Sequence, residues 1–449
     1  MSKEKKVVLG EEGIYDARVL GTPKMCVLGV QHVFAMFGAT VLVPLLTGLS
    51  VSTTLMMAGI GTLLFHLVTK GKVPAFLGSS FAFLAAFGIV APKLPDAAGN
   101  LTLPNLEMLP YACGGVVAAG LVYVLVSLLI GVFGVNKVMR FFPPIVTGPI
   151  IISIGLILAP SAIGNASNDW LLAFIAIAII IVCNIWGKNM VKILPILLGV
   201  VGAYLVAVVL QRVDYTAIAE ADWFGIPLSA DRFAKFDLGA ILTVVPVALA
   251  AMMEHIGDVA SISATTGKNF IENPGLARTL LGDGIATSVA GFFGGPANTT
   301  YGENTGVLAL TKVYDPRVIR IAAFVAILLS FSPKFEALVN TLPTAIVGGV
   351  SMILYGMISA VGVRNVVDNR IDFTKSRNLI IAAVILVSAL GFNSHGGLTI
   401  YQGAEFSITL TGLAIAAIAG IVLNAVLPGN DYVFGADVSG DDSANLGRF

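Results

Sequence analysis

The strongest constraint on this chain is a succession of long apolar segments between Met25 and Leu427. Hydrophobic residues make up 57% of the sequence and charged residues only 12%, about half the charged fraction of an ordinary soluble domain. A helix that crosses a bilayer needs roughly 20 mostly apolar residues. Because the chain supplies such segments one after another, we predict an all-α, polytopic membrane protein with the lipid bilayer as its surroundings.

The apolar segments form two series of seven, separated by the polar stretch 212–236. The first series covers residues 25–49, 53–70, 73–92, 111–135, 144–163, 169–187 and 190–211. The second covers residues 237–262, 276–295, 297–311, 317–340, 343–363, 377–392 and 406–427. An odd number of crossings turns the second series upside down relative to the first. We therefore predict 14 transmembrane segments arranged as a 7+7 inverted repeat.

The basic residues provide a check on this count, because Lys and Arg collect on the cytoplasmic side of a membrane protein. With a cytoplasmic N-terminus, 21 of the 26 Lys and Arg fall on one side and 5 on the other. This split predicts that both termini are cytoplasmic. The N-terminal arm, residues 1–24, is polar and is not expected to be a cleaved signal peptide. Acidic residues also number 26, so the charge balance indicates no nucleic-acid partner.

Two of the segments, the third and the tenth, are short and interrupted by Gly, Pro and Ser or Thr. Pro74-Ala75 opens the first of them and Pro296-Ala297 opens the second. Paired interrupted segments in the two halves of a transporter point to its binding site. Irregular backbone at membrane depth is tolerated only beside protein or a cavity. Half-helices beginning near Phe81 and Gly302 are therefore predicted to direct free N–H groups into a cavity.

Three carboxylates fall within apolar segments, where an ionised group costs about 2.5 to 3.5 kcal/mol on insertion scales. Glu254 and Asp258 are four residues apart in the eighth segment and share one helical face. Glu303 lies in the interrupted tenth segment. Glu254 and Asp258 are either solvated at a cytoplasmic helix end or directed into the cavity. Solvation at a cytoplasmic helix end does not explain Glu303, which lies in the middle of its segment.

A cavity lined by these groups suits a particular ligand. Carboxylates accept hydrogen bonds and backbone N–H groups donate them, so a small flat ring with alternating N–H and C=O groups, such as a pyrimidine dione, is complementary. Phe81 and Tyr301 either stack on such a ring or pack in the core. A carboxyl group removed from water holds a proton more readily. Asp258 or Glu254 is therefore predicted to exchange protons during transport.

Other classes of function find little support in the sequence. It contains no H-E-x-x-H, G-x-S-x-G or Walker A motif, so no enzyme is predicted. Cys26, Cys113 and Cys183 lack metal-ligand spacing and are expected to pack as small apolar residues, so no metal is expected. An anion carrier or channel is a further alternative, but it calls for a cation in the interrupted segments.

Three motifs in the expected order resemble those of the nucleobase/ascorbate transporter family. The family signature, which begins with Gln or Glu and then Asn, is matched by ENTGVLALTK, Glu303–Lys312. The first and third helices of the family's uracil branch resemble QHVFAMFGATVLVP, Gln31–Pro44, and GKVPAFLGSSFAF, Gly71–Phe83. The similarity extends over about residues 22 to 427, nearly the whole chain.

The resemblance implies a proton-coupled symporter of the bacterial plasma membrane, possessing no cofactor besides the proton and forming a homodimer. It also implies two short antiparallel strands in the third and tenth segments. Core and gate domains alternate along the chain and are flanked by the arm and a cytoplasmic tail. The implied ranges are 25–135 and 237–340 for the core, 144–211 and 343–427 for the gate, and 428–449 for the tail.

The resemblance also implies roles for individual residues. Glu254 and Glu303 accept hydrogen bonds from ring N–H groups, and the backbone N–H groups of Phe81 and Gly302 meet the ring carbonyls. Ala39 and Tyr301 line the pocket, and His32 joins Asp258 and Glu254 as a candidate for carrying the proton.

The substrate follows from the first residue of the signature, which is Glu in uracil carriers and usually Gln in purine carriers. Glu303 thus favours uracil, with xanthine or urate as the alternative. The sequence departs from the uracil pattern at Asp258, where that pattern has His. Proton coupling through an imidazole at this position is therefore not expected.

Overall fold

The computed structural model describes residues 10, 12–96, 99, 101–188, 190–403, 407–430 and 432. Most of the predicted arm and nearly all of the predicted tail lie outside the described residues. The helices are α1 Thr22–Thr47, α2 Val51–Val68, α3 Leu84–Val90, α4 Leu109–Phe133, α5 Val135–Met139, α6 Pro144–Ala166, α7 Trp170–Trp186, α8 Met190–Ile193, α9 Pro195–Val209, α10 Thr216–Glu220, α11 Leu238–Val244, α12 Val247–Thr266, α13 Leu276–Phe292, α14 Gly302–Thr311, α15 Pro316–Ser330, α16 Pro333–Asn340, α17 Thr344–Asp368, α18 Ser376–Ser394 and α19 Gly412–Val426.

Short strands connect or interrupt these helices. They are β1 Leu77–Ser79, β2 Leu94–Pro95, β3 Leu101–Leu103, β4 Asn298–Thr300, β5 Leu398–Gln402 and β6 Ser407–Leu410. β2 pairs with β3 and β5 with β6 as antiparallel hairpins. Neither hairpin was predicted, and β6 occupies residues that the fourteenth segment, 406–427, was expected to contribute to a helix. The boundary was wrong because an apolar run of this length does not distinguish a strand from a helical turn.

Seven helices of the described chain are long and apolar enough to cross a membrane, and an eighth forms if the bent pair α15 and α16 is one span. The two members of that pair meet at 88°. α7, α9 and α19 are apolar but shorter. The protein is therefore a multi-pass membrane protein. The third and tenth predicted segments consist of a strand followed by a short helix, so their length alone does not mark them as spans.

The interrupted segments meet in the interior through their strands. β1 and β4 pair antiparallel, with Gly78 opposite Thr299, which confirms the strands predicted in segments three and ten. The bonds Ser80 N–H to Ala297 O, at 2.8 Å, and Tyr301 N–H to Phe76 O, at 3.0 Å, extend the pairing. All residues of both strands are buried. Pairing is required here because buried backbone groups have no water to bond to.

Neighbouring side chains satisfy the remaining polar groups around the two strands. The Thr62 hydroxyl accepts a hydrogen bond from Leu77 N–H at 2.9 Å. The Thr287 hydroxyl donates to Asn298 O at 2.8 Å, and Asn298 Nδ2 donates to Met57 O at 3.0 Å. These bonds join the strands to α2 and α13. The interrupted segments are thus fixed to continuous helices on either side.

Glycines bring α4 and α13 into backbone contact. A Cβ added at Gly120 would lie 2.6 Å from Gly284 O, and one added at Gly284 would lie 2.7 Å from Gly120 O. Both distances are shorter than side-chain carbons tolerate. Small residues at such crossings allow close packing in membranes, where van der Waals contact between helices replaces the hydrophobic drive.

We predict that Gly120→Ala destabilises the protein by about 1 to 3 kcal/mol, because the added methyl group forces α4 and α13 apart. Gly131→Ala on the same helix is the matched control, since nothing lies within 4 Å of a Cβ there. The difference in melting temperature between the two variants is measured by heating them in detergent and quantifying the remaining folded protein by size-exclusion chromatography. Equal melting temperatures for the two variants would contradict the packing argument.

Candidate functional site

The start of α14 is uncapped, and its first residue is exposed. Its cap residue Tyr301 has extended backbone and makes no side-chain capping bond. The first N–H groups of a helix have no intrahelical partner, and the helix dipole makes that end partly positive. Gly302, the first helical residue, is exposed although its neighbours Tyr301 and Asn304 are buried. An accessible helix start thus lies within an otherwise buried region.

Residues of α12 face this helix start. A Cβ at Gly302 would lie 3.7 Å from Asp258 Oδ1. Asp258 is 8% exposed, and its Oδ2 accepts a hydrogen bond from the Thr300 hydroxyl at 2.9 Å. Glu254 Oε2 is buried and has no hydrogen-bond partner among the described residues. The interpretation of these carboxylates as solvated at a helix end is therefore wrong, and α12 continues to Thr266.

The structure brings the predicted carboxylates together. Glu254 interacts electrostatically with Glu303 and Asp283, and Asp258 interacts with all three. Within the described part of the chain, none of the four forms an ion pair with Lys or Arg. A buried carboxylate needs a hydrogen-bond donor or a proton to offset its lost hydration. The cluster is therefore suited to a ligand that donates hydrogen bonds.

Asp283 is the functional candidate that the sequence analysis missed. It lies on α13, and its Oδ2 is 2.9 Å from His255 Nδ1, with both side chains 0% exposed. The Thr300 hydroxyl lies 3.5 Å from the same nitrogen. The pair therefore links α12, α13 and β4 directly behind Asp258. A signal was present, since Asp283 is an ionisable residue in an apolar segment, the criterion that selected Glu303.

The predicted aromatic residues, Phe81 and Tyr301, lie beside the paired strands that precede the start of α14. Phe81 is 4% exposed and packs edge to face against Tyr355, with ring centroids 5.7 Å apart. The Tyr301 hydroxyl donates to Ser79 O at 3.1 Å and accepts from the Thr40 hydroxyl at 3.3 Å. Tyr301 therefore braces α1 against β1.

Two further residues lie in the same region. Ala39 of α1 is fully buried beside Thr40. Tyr355 of α17 was not singled out from the sequence, and its hydroxyl has no hydrogen-bond partner among the described residues.

His32 is buried on α1 and belongs to a different contact. Asn304 Nδ2 lies 3.0 Å from His32 Nδ1 and donates to His32 O at 3.2 Å. This pair joins α1 to α14, one residue beyond Glu303. The structure therefore keeps His32 near the site but gives it a partner from the signature motif instead of a carboxylate.

No group of three or more His, Cys, Asp and Glu side chains suited to a metal occurs among the residues that the structure describes. Cys113 is buried as expected, but Cys26 is exposed on α1 and Cys183 is half-buried. The expectation that the cysteines pack as small apolar residues therefore does not hold for Cys26, which the protein leaves exposed. Its segment has a face that the protein itself does not cover.

Two solved structures share the fold of this chain. The transmembrane domain of the cyanobacterial bicarbonate transporter BicA superposes with a TM-score of 0.63 at 16% identity, covering 92% of this chain and 99% of that domain. Murine Slc26a9, an anion transporter in the inward-facing state, superposes with a TM-score of 0.60 at 12% identity, covering 94% of this chain and 73% of that one. These likenesses define a polytopic protein with a transporter fold.

Sequence comparison identifies the family. A family model described as a permease family matches residues 23–398. The uracil permease of Bacillus caldolyticus is 43% identical over 90% of this chain and 91% of its own length. The uracil permease of Bacillus subtilis (strain 168) is 41% identical over 95% of this chain and 97% of its own length. That of Escherichia coli (strain K12) is 38% identical over 89% of this chain and 90% of its own length. The chain belongs to this permease family, so it is a membrane transporter and not an enzyme.

We predict that Asp283→Ala destabilises the protein by about 3 to 5 kcal/mol, because removing one member of a buried pair leaves the other without a partner. The double variant Asp283→Leu with His255→Leu should recover part of this loss, since it removes both polar groups. Thermal unfolding of the three proteins measures the coupling. A double variant no more stable than Asp283→Ala would show that the two side chains do not act as a pair.

Proposed function

We propose that the protein is a proton-coupled symporter that imports uracil by alternating access. The observation that carries the proposal is the cluster of carboxylates around the uncapped start of α14, in which Asp258 is buried and Glu254 and Glu303 are half-buried. Such a site offers acceptors and donors to one neutral ring. The names of the relatives, uracil permeases at up to 43% identity, support the choice of uracil.

In the proposed complex, Glu254 and Glu303 accept hydrogen bonds from the two ring N–H groups. The backbone N–H groups of Phe81 and Gly302 donate to the ring carbonyls, while Ala39 and Tyr301 form the wall. The unpartnered Oε2 of Glu254 supports this assignment, because a buried acceptor without a donor costs free energy. The exposure of Gly302 supports access of a ligand to its backbone.

Xanthine or urate remains the alternative substrate within the family, because xanthine carries the same dione edge. The names of the relatives favour uracil over it. An anion carrier of the same fold is disfavoured by the charge of the cluster. Carboxylates repel an anion, and within the described residues they form no ion pair with Lys or Arg.

Alternating access is proposed to occur between a core domain, residues 25–135 and 237–340, and a gate domain, residues 144–211 and 343–427, related by a 7+7 inverted repeat of 14 segments. The helix contacts support this division. α4 packs mainly on α13 and α2 on α15, all in the core, while α6 packs on α17 and α7 on α9, all in the gate. Pairing of β1 with β4 supports the correspondence of segments three and ten.

Both termini are proposed to be cytoplasmic, in a bacterial plasma membrane, as the distribution of Lys and Arg suggests. The homodimer implied by the family resemblance stays a prediction.

Asp258 is proposed as the proton-carrying group, with Glu254 as its partner and His32 as a lesser candidate. Asp258 faces Gly302 on one side and bonds Thr300 on the other. A proton gained or lost there changes the hydrogen bonds next to the ligand. Proton movement and ligand binding are coupled through these shared contacts. His32 is less suited because Asn304 already engages it.

We predict that Glu303→Gln weakens uracil binding by about 10- to 100-fold, because a hydrogen bond to a charged group contributes about 1.5 to 3 kcal/mol. Uptake of labelled uracil into proteoliposomes, with unlabelled xanthine, thymine and cytosine as competitors, measures affinity and selectivity. Glu220→Gln, on exposed α10, is the control and should bind normally. Stronger competition by xanthine than by unlabelled uracil would overturn the substrate assignment.

We predict that Asp258→Asn abolishes accumulation of uracil driven by a pH gradient but preserves exchange of internal for external uracil. The reason is that exchange needs the site but no net proton movement. In the unmodified protein, an acidic exterior should raise the initial rate of uptake, and collapsing the gradient should lower it. Gradient-driven accumulation by Asp258→Asn at the normal rate would assign proton transfer to another group.

A further inference from the structure

A cavity of about 760 Å³ lies apart from the carboxylate cluster. Its walls come from the N-terminal arm, the turn after α2, the turn after α12 and the start of α15. Tyr15, Lys72, Lys268, Tyr314, Arg317 and Arg320 are among its lining residues. We call it the arm cavity. None of its lining residues is among those assigned to the proposed uracil site.

The arm forms one wall of this cavity through specific bonds. Ile14 N–H donates to Lys312 O at 2.7 Å, and Tyr314 N–H donates to Ile14 O at 2.8 Å. The Tyr15 hydroxyl donates to Thr266 O at 2.7 Å, at the last residue of α12. The arm thus connects the ends of α12 and α14, the two helices that carry Glu254, Asp258 and Glu303.

Two of the acidic residues in the lining are already neutralised. Asp315 Oδ2 accepts hydrogen bonds from Ala17 N–H at 2.7 Å and from Arg317 at 3.2 Å. Asp16 accepts from Arg317 at 2.9 Å. Asp16 is also bound by Arg18, whose side-chain hydrogen bond holds the pKa of that carboxyl well below its ordinary value. These carboxylates stabilise the arm and leave little negative charge for the cavity.

The remaining charge in the lining is positive. Lys72, Lys268 and Arg320 face one other carboxylate, that of Glu272. Lys72 Nζ donates to the neutral side chain of Asn273, and Lys268 Nζ lies 4.2 Å above the Tyr15 ring. Arg320 is half-buried and makes no hydrogen bond or ion pair within the described residues. The guanidinium of Arg320 is therefore free to bind an acceptor that enters the cavity.

The orientation of a membrane protein in the bilayer explains why Lys and Arg lie on one side of it. It does not explain why several of them line the same cavity. A metal cation is excluded by the surplus of positive charge. A neutral ligand leaves Arg320 without an acceptor. An anion with several oxygens offers acceptors to cations on different walls of the cavity, and guanidinium groups bind phosphate with two parallel hydrogen bonds.

We propose that the arm cavity binds a phosphate-bearing anion, held by Lys72, Lys268 and Arg320. The anion is either the headgroup of an anionic phospholipid or a soluble phosphate compound. Bound there, it bridges the turn after α2, the turn after α12 and the first turns of α15, against which the arm packs. Occupancy therefore stabilises the arm on the helices that carry the carboxylate cluster.

Hydrogen exchange of the full-length protein in phosphatidylcholine nanodiscs tests the proposal, with the amides of Ile14 and Ala17 as reporters. In the first set of samples, inorganic phosphate is added at constant ionic strength, and chloride at the same ionic strength is the comparison. In the second set, part of the phosphatidylcholine is replaced with phosphatidylglycerol, in chloride only. We expect at least one condition to slow exchange at both amides several-fold. Protection by phosphate identifies a soluble ligand, and protection by phosphatidylglycerol alone identifies a lipid.

Variants separate this site from general salt effects. Arg320→Gln and Lys72→Gln should each lose the protection, whereas Lys137→Gln, an exposed cation outside the cavity, should keep it. Lys72 is exposed, so its variant decides the outcome if Arg320→Gln fails to fold. Unchanged exchange under both conditions, or equal protection in Lys72→Gln and Lys137→Gln, would overturn the proposal. Uracil binding by the same preparations is measured separately and does not enter this comparison.

Discussion

The pairing of β1 with β4 is the constraint on which the interior of this protein depends. Each strand interrupts a helical segment in the buried interior, where an unpaired backbone group costs several kcal/mol. Because Gly78 lies opposite Thr299, the helices that follow both strands begin at defined positions. Backbone hydrogen bonds between the strands, together with side-chain bonds from α2 and α13, therefore locate the residues that follow them. The 3-10 turn Phe81–Phe83 and the uncapped start of α14 at Gly302 directly follow the two paired strands.

The carboxylate cluster is built on that arrangement. Asp258 accepts a hydrogen bond from Thr300 of β4. Asp283 contacts His255, the residue that follows Glu254 on α12. The polar residues are thus joined to the strands in a network that crosses α12, α13 and β4. A buried polar network destabilises the folded state when some of its groups lack partners, and it specifies one arrangement of the core when all are paired. The buried Glu254 Oε2 without a partner is the member that a ligand is expected to satisfy.

Much of this architecture follows from the sequence, because hydrophobic length and interrupted segments are local properties. The interruptions near Pro74 and Pro296 were predicted in this way, whereas the two strands within them were implied by the family resemblance. The sequence left burial of Asp258 open beside solvation at a helix end, and the structure buries it. The contact of Asp283 with His255 was not predicted, since it depends on how α12 crosses α13, which no spacing encodes. Tyr355 was missed for the same reason. The hairpin of β5 and β6 was missed because a short apolar strand has no distinctive period.

The contact between Phe81 and Tyr355 joins the proposed core to the proposed gate through two aromatic rings. Edge-to-face rings attract each other weakly, by about 0.5 to 1.5 kcal/mol beyond their buried area, and they have no single bonding direction. By contrast, the glycine contact of α4 with α13 lies within one bundle and leaves no room for slippage. The ring contact therefore tolerates a small relative displacement better than the glycine crossing of α4 with α13 does. Its strength should also be insensitive to ionic strength, because the two rings carry no charge.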